Sequence, residues 1–286
     1  MRKTGSREAG PEEVTHYLDD VAARVRDIFG DRVVGVYTTG SLALGDYHAG
    51  RSDIDLMAVA AEPPDFDLRR QLVRQLDHRV LHCPAAGLEF VLYSLTTVSR
   101  PTLDAGYLIN FNTGAALPPM TSFDPGEGPA FWYPIDRAIT RQSGAALYGP
   151  PAPQLFAALP FDDLLRAVIA SMEAQSDPQE EHLLDNAVLN GCRGLSFAQD
   201  RRWYAKVDAA ERSLPMAGEF APLVSAAIVS FGSGRQKGTT LDPDTVRAFL
   251  LEVLQRLRSA LQIELGKGVQ HERLGQAGGG EVTQMQ

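Results

Sequence analysis

The stretch TTGSLALGDYHAGRSDIDLMAV, Thr38 to Val59, decides the reading of the N-terminal half of the chain. From Ser52 onward it has the apolar character of a buried strand, yet it carries two aspartates, Asp53 and Asp55. Alternate side chains of a strand share a face and residues rise about 3.3 Å each, so the two carboxylates lie on one face with Cα atoms about 7 Å apart. Ile54 and Leu56 take the other face, which can be buried without burying a charge. Like charges at that spacing repel, and a divalent cation beside them is the simplest way to keep both ionised at neutral pH. Hard oxygen donors favour magnesium. Upstream, Gly40 and Ser41 end the β-branched run RVVGVYTTG and open a short helical turn through LALG. Backbone N–H groups at such a turn hold phosphate, Gly40 permits close approach, and the Ser41 hydroxyl adds a donor. A strand, a phosphate-holding turn and a strand with paired aspartates point to metal-assisted chemistry on a nucleoside triphosphate.

Elements of alternating type flank this stretch. Pro11 and the acids after it start EEVTHYLDDVAARVRDIFG, in which Val14, Leu18, Val21, Val25 and Ile28 fall at helical spacing before Gly30. Asp65 to His82 repeats the helical pattern through Leu68, Leu72, Val73, Leu76, Val80 and Leu81, and LEFVLYSL returns to strand character. Asn110 to Gly128 is rich in Gly, Pro, Asn and Asp and reads as a long loop. PIDRAITRQSGAALYGPPAP reads as a short helix that stops before a Gly-Pro-Pro break. From Phe161 onward the periodicity is helical throughout, which predicts a second domain built as a helical bundle. The expected organisation is a flexible tail over 1–10, a first domain over 11–152, a helical domain over 153–266 and a disordered tail over 267–286. There is no internal repeat.

The bulk properties narrow the function classes. A chain of 286 residues suits two domains at about 150 residues each. Hydrophobic residues at 44%, charged residues at 22% and aromatics at 8% are ordinary soluble usage, which excludes disordered and fibrous classes. A net charge of -9, from 36 acidic and 27 basic residues, argues against a broad nucleic-acid footprint and is compatible with a cationic partner. No window reaches the roughly 18 consecutive apolar residues of a membrane span, and the N-terminus has no apolar run of the signal-peptide kind. The expectation is a cytoplasmic protein without membrane or nucleic-acid partners. Cys83 and Cys192 lie far apart and outside any metal-ligand spacing, so structural burial is expected for both. The six histidines are scattered, and His48 is notable only for lying in the motif loop.

GSLALGDYHAGRSDIDL resembles the signature of the DNA-polymerase-beta-like nucleotidyltransferase superfamily, Gly-Ser followed about a dozen residues later by Asp-x-Asp. The resemblance implies a mixed α/β (α+β) catalytic domain in which Asp53 and Asp55 bind magnesium, two ions in all, and Gly40 and Ser41 grip the triphosphate of ATP. It also implies a third carboxylate on a neighbouring strand, for which Glu89 in GLEFVLYSL is the match, both as metal ligand and as the base that takes a proton from the acceptor hydroxyl. From about Val33 to Leu265 the chain is similar to aminoglycoside adenylyltransferases of the streptomycin and spectinomycin type, which join this domain to a C-terminal helical one. SGAALYGPPAP, NAVLNGCR and WYAKVDAAERSLP carry that similarity, with Lys206 matching a lysine that contacts nucleotide phosphates. Arg193 is a second candidate phosphate contact.

The resemblance implies an acceptor that is small and cationic. The family enzymes hold it with a tryptophan after the third carboxylate and with acids ahead of the second helical segment. Here YLINFNTGAALPP has no tryptophan, which leaves Trp132 as the candidate replacement, and the acids are Glu180, Glu181 and Asp185 in a different register. These acids have a solvated-surface reading of equal weight. Other acceptors stay open: a protein side chain, a natural product, or RNA in a toxin-type transferase. A non-catalytic nucleotide-binding module is the remaining alternative.

Overall fold

The computed structural model describes residues 11–49, 51–176, 183–232 and 241–277. Two compact units divide the chain: Met1–Leu159 with Trp203–Val207, and Pro160–Arg202 with Asp208–Gln286. The first unit therefore extends past residue 152 and takes back a short segment from within the helical region.

The first unit runs α1 (Pro11–Phe29), β1 (Val33–Thr38), α2 (Gly40–Leu44), β2 (Ile54–Ala60), α3 (Phe66–Leu76), β3 (Leu88–Ser94), α4 (Leu95–Val98), β4 (Tyr107–Thr113), β5 (Met120–Ser122), α5 (Trp132–Ser143) and β6 (Ala146–Tyr148). Its strands form one sheet in the order β5-β4-β3-β2-β1-β6. The β2–β3 pair is parallel, with α3 in the crossover, and the other pairs are antiparallel, so the sheet is mixed. Strand β2 is central and buried on both faces. Ile54, Leu56, Ala58 and Ala60 join α1 and α3 residues such as Val21, Val25, Leu72 and Leu76 in the larger core. Met57 and Val59 point the other way, into a cluster with Tyr37, Tyr93, Tyr107 and Phe156. Asp55 shares that second face.

Two local expectations give way to tertiary context. The helical pattern expected to continue to His82 stops at Leu76, because Asp77 turns extended and its carboxylate is taken by the Arg79 backbone N–H and guanidinium. Part of the loop expected from Asn110 is strand: β4 buries Tyr107, Ile109, Phe111 and Thr113 in strict alternation and pairs with both β3 and β5. Asparagines at positions 110 and 112 hide this period, since they occupy the opposite face.

Among its described residues the second unit contains helices and no strand: α6 (Phe161–Ala174), α7 (Leu184–Asp200), α8 (Lys206–Ser213) from Asp208 onward, α9 (Ala221–Gly232) and α10 (Pro243–Ala277). Helix α7 is its axis, burying Leu184, Val188, Leu189, Cys192 and Phe197 among its neighbours. A Cβ at Gly191 would stand 3.0 Å from the Phe249 ring, so the small residue lets α10 pack close to α7. The helical domain was expected to end at 266 and a disordered tail to follow; α10 continues instead to Ala277, since Gly266 and Gly268 weaken a helix by about 1 kcal/mol each without breaking it and no proline follows. Both cysteines are free and buried, as expected. No helix among the described residues is long and apolar enough to cross a membrane.

Phe111→Ala should cost about 3–5 kcal/mol of unfolding free energy in urea titrations, as a buried core residue does. A loss below about 1 kcal/mol would return residues 110–113 to the status of a loop.

Candidate active site

The parallel register of β2 and β3 puts Asp55 directly beside Glu89. Asp53 precedes β2, and each of the three half-buried carboxylates offers an oxygen within 4.8 Å of the others. Thr39 delivers Gly40 to the same place, its N–H donating to the Asp55 carbonyl at 3.0 Å. Gly40 has φ +56, and a Cβ there would collide with the Asp55 carboxylate, so the position is closed to side chains on two counts. The Ser41 hydroxyl is buried and makes no hydrogen bond among the described residues. The connecting loop is tied internally: His48 N–H donates to Ser52 Oγ at 3.0 Å, and the His48 ring lies 2.9 Å from Asp46 Oδ1.

The electrostatics follow from this crowding. Burial first, then the charges of Asp53, Glu89 and Asp136, hold the Asp55 carboxyl well above the ordinary carboxylate range, with Lys206 opposing. Glu89 is pushed up to about 7 by burial, Asp53 and Asp136, against a hydrogen bond with Asp55 and the charge of Lys206. Asn112, opposite Glu89 on β4, donates from Nδ2 to Glu89 Oε1 at 3.4 Å. Oxygens that drive each other toward protonation are a donor set that a hard dication would relieve, and magnesium fits it.

Lys206 reaches this site through Gln142. The Gln142 side chain donates from Nε2 to the Trp203 carbonyl at 2.9 Å and accepts the Trp203 N–H at 2.8 Å, which fastens the 203–207 segment to α5. Trp203 is buried, in keeping with a packing role. The structure thus brings together Gly40, Ser41, Asp53, Asp55, Glu89 and Lys206 in the first unit. Trp132 opens α5, its ring 4.8 Å from that of Phe131 and one helical turn before Asp136. Asp136 itself is a site residue that sequence reasoning missed. It lay in an unremarkable amphipathic helix, and only its place on α5 reveals it.

The remaining candidates belong to the second unit or fall outside the description. Arg193, with Asn186 and Asn190, occupies a half-buried polar stripe of α7. Asp185 is buried and committed, accepting from Ser230 Oγ at 3.1 Å and from the Asn186 N–H at 2.7 Å, so its place is that of a tie between α7 and α9 and not of an open carboxylate. Glu180 and Glu181 lie outside the described residues.

Known proteins match the chain at two levels, its domains and its fold. Residues 18–84 match the nucleotidyltransferase domain family, and the triad and the Gly40–Ser41 turn both lie in or beside that span; the chain is a nucleotidyltransferase. Residues 154–256 match the aminoglycoside adenylyltransferase C-terminal domain, so the two domains together are of the aminoglycoside adenylyltransferase type. Among solved structures, spectinomycin adenyltransferase AAD(9) from Enterococcus faecialis with ATP and spectinomycin shares the fold at a TM-score of 0.65, with 16% identity over 86% of this chain and 99% of that one. A toxin-antitoxin with AMP-PNP matches at a TM-score of 0.28 and 15% identity, over 57% of this chain and 92% of that one, too slight a likeness to bear on the fold. No curated protein sequence matches the chain significantly.

The raised Glu89 pKa has a signed consequence for stability. Folding lifts it from 4.5 to about 7, so in that interval the folded protein binds more protons than the unfolded one and loses stability as pH rises. Glu89→Gln removes this loss. In EDTA, the Tm of the variant should gain on the wild type steadily from about pH 4.5 to about pH 7; a constant difference would contradict the assignment. His78, held low by burial, acts with the opposite sign in both proteins and cancels.

Proposed function

We propose that the chain transfers AMP from ATP to a hydroxyl of a small cationic acceptor of the aminoglycoside class and releases pyrophosphate. The observation that carries this reading is the convergence of Asp53, Asp55 and Glu89 within 4.8 Å beside the Gly40–Ser41 turn. The spectinomycin enzyme that shares the fold supports the choice of acceptor class.

In this reading Asp53, Asp55 and Glu89 hold magnesium, which when bound neutralises charge on the attacking and leaving oxygens. Gly40 admits the triphosphate close to the backbone, and the Ser41 hydroxyl donates to a phosphate oxygen. Lys206 steadies the triphosphate charge from the segment that Gln142 fastens, and Arg193 adds a phosphate contact from α7. The acceptor oxygen forms a bond to the α-phosphorus while the bond from that phosphorus to the bridging oxygen of the β-phosphate breaks. The hydroxyl proton passes to Glu89. The cationic acceptor is bound with help from Trp132 and the acids Glu180 and Glu181. The protein works in the cytoplasm.

The decisive assay is pyrophosphate release from magnesium-ATP with spectinomycin, streptomycin and related drugs as acceptors. Asp53→Asn and Asp55→Asn should each lower kcat/KM by about a hundredfold or more without lowering Tm in EDTA, because each relieves like-charge repulsion. Full activity in either variant would sink the site. Glu89→Gln should bind a non-hydrolysable ATP analogue and turn over about 100-fold or more slowly. An unchanged rate would remove Glu89 as the base.

A further inference from the structure

Strands β2, β3 and β4 set three polar side chains in one row across the sheet. Asp55 pairs with Glu89 in the parallel ladder, and Glu89 pairs with Asn112 in the antiparallel one. Directly paired residues point to the same face and neighbouring strands stand about 4.8 Å apart, so Glu89 has a carboxylate on one side and an amide on the other. The amide is the neighbour that donates: Asn112 Nδ2 stands 3.4 Å from Glu89 Oε1. An ionised carboxylate only accepts, so of the two partners that the register gives Glu89, Asn112 is the one that can satisfy an oxygen while both acids stay ionised.

The backbone leaves this amide little freedom. Phe111, before it, is buried in the larger core, and Thr113, after it, accepts the His78 N–H on Oγ1 at 2.9 Å. A Cβ at Gly114 would stand 2.4 Å from the Ala86 carbonyl, so the end of β4 lies directly against the segment that enters β3. On the same face of β4, Asn110 donates from Nδ2 to Tyr133 Oη at 2.8 Å, which pins the strand to α5. The residue type suits the place as well. A lysine or arginine at 112 would set a positive charge against the cation that the trio is read to hold, and an aspartate would make a third acid in the row. An amide brings a donor and no net charge.

We propose that Asn112 is a positioning residue: by holding Glu89 Oε1 it fixes the plane of the carboxylate and so the direction from which its lone pairs meet the acceptor hydroxyl. This rests on the transfer reading above and adds the group that aims its base. The acceptor O–H bond breaks as the bond to phosphorus forms and the proton passes to Glu89, while Asn112 keeps its own protons throughout. The test uses the full-length protein and two variants, since Asn112→Leu keeps the volume of the side chain without its donors and Asn112→Ala removes its reach; if one does not fold, the other carries every measurement. In crystal structures without nucleotide, Glu89 should hold one conformer in the wild type and turn away from β4, or split into several, in the variants. In pyrophosphate release with magnesium-ATP and spectinomycin or streptomycin, kcat should fall about tenfold or more while KM for ATP stays within about twofold. Added to Glu89→Gln, the same substitution should change the residual rate by less than about twofold, because the group it aims is already gone. A Glu89 carboxylate that does not move, an unchanged kcat, or an equal loss in the Glu89→Gln background overturns the proposal. A wild type that releases no pyrophosphate with either drug refutes the transfer reading instead, and the crystallographic comparison then decides for or against Asn112.

Discussion

Everything in the first unit answers to the repulsion among Asp53, Asp55 and Glu89. Carboxylates this close are tolerated only where the backbone leaves them no alternative, and the parallel pairing of β2 with β3 is that constraint. The seven-residue ladder from Ile54–Leu88 to Ala60–Ser94 fixes the register, and both apolar faces of β2 are locked into separate cores. A slip of one residue would drive Asp55 into the larger core and turn Ile54 and Leu56 onto the face of the carboxylate site, so core packing and site geometry are one specification. The stability of the hydrophobic layers offsets the electrostatic cost of the site, which a bound dication would remove.

The same economy explains what could be read from the chain. Asp53, Asp55, Gly40 and Ser41 were legible because a charge inside an apolar run, and a glycine at the end of one, are local violations with few explanations. The β4 strand was not, because its half-buried positions 110 and 112 are the asparagines of a typical loop, and only pairing with β3 shows that Asn112 stands against Glu89. Asp136 was hidden by the reverse effect: a polar residue on an amphipathic helix breaks no rule. Lys206 carried a resemblance but no visible route to the carboxylates, because the two hydrogen bonds between Gln142 and Trp203 join positions that sequence periodicity cannot relate.

The second unit shows where charge alone misleads. Asp185 was grouped with neighbouring acids as a ligand for a cation, yet it is buried and accepts from Ser230 and from the next backbone N–H of its own helix. The half-buried polar stripe of α7 contains Arg193 and two amides. Burial separates them: Asp185 is buried, whereas Asn186, Asn190 and Arg193 of the same helix are half-buried.

The grip of Gln142 on Trp203 also bears on how the protein is made. During synthesis the sheet, with its three carboxylates, leaves the ribosome well before residue 203, and the helices α6 and α7 come between. Until the 203–207 segment threads back onto α5, the nascent domain holds its acids without the lysine that offsets them. The order of translation therefore leaves the active site electrostatically incomplete until much of the helical unit has emerged, which couples completion of one domain to the birth of the other.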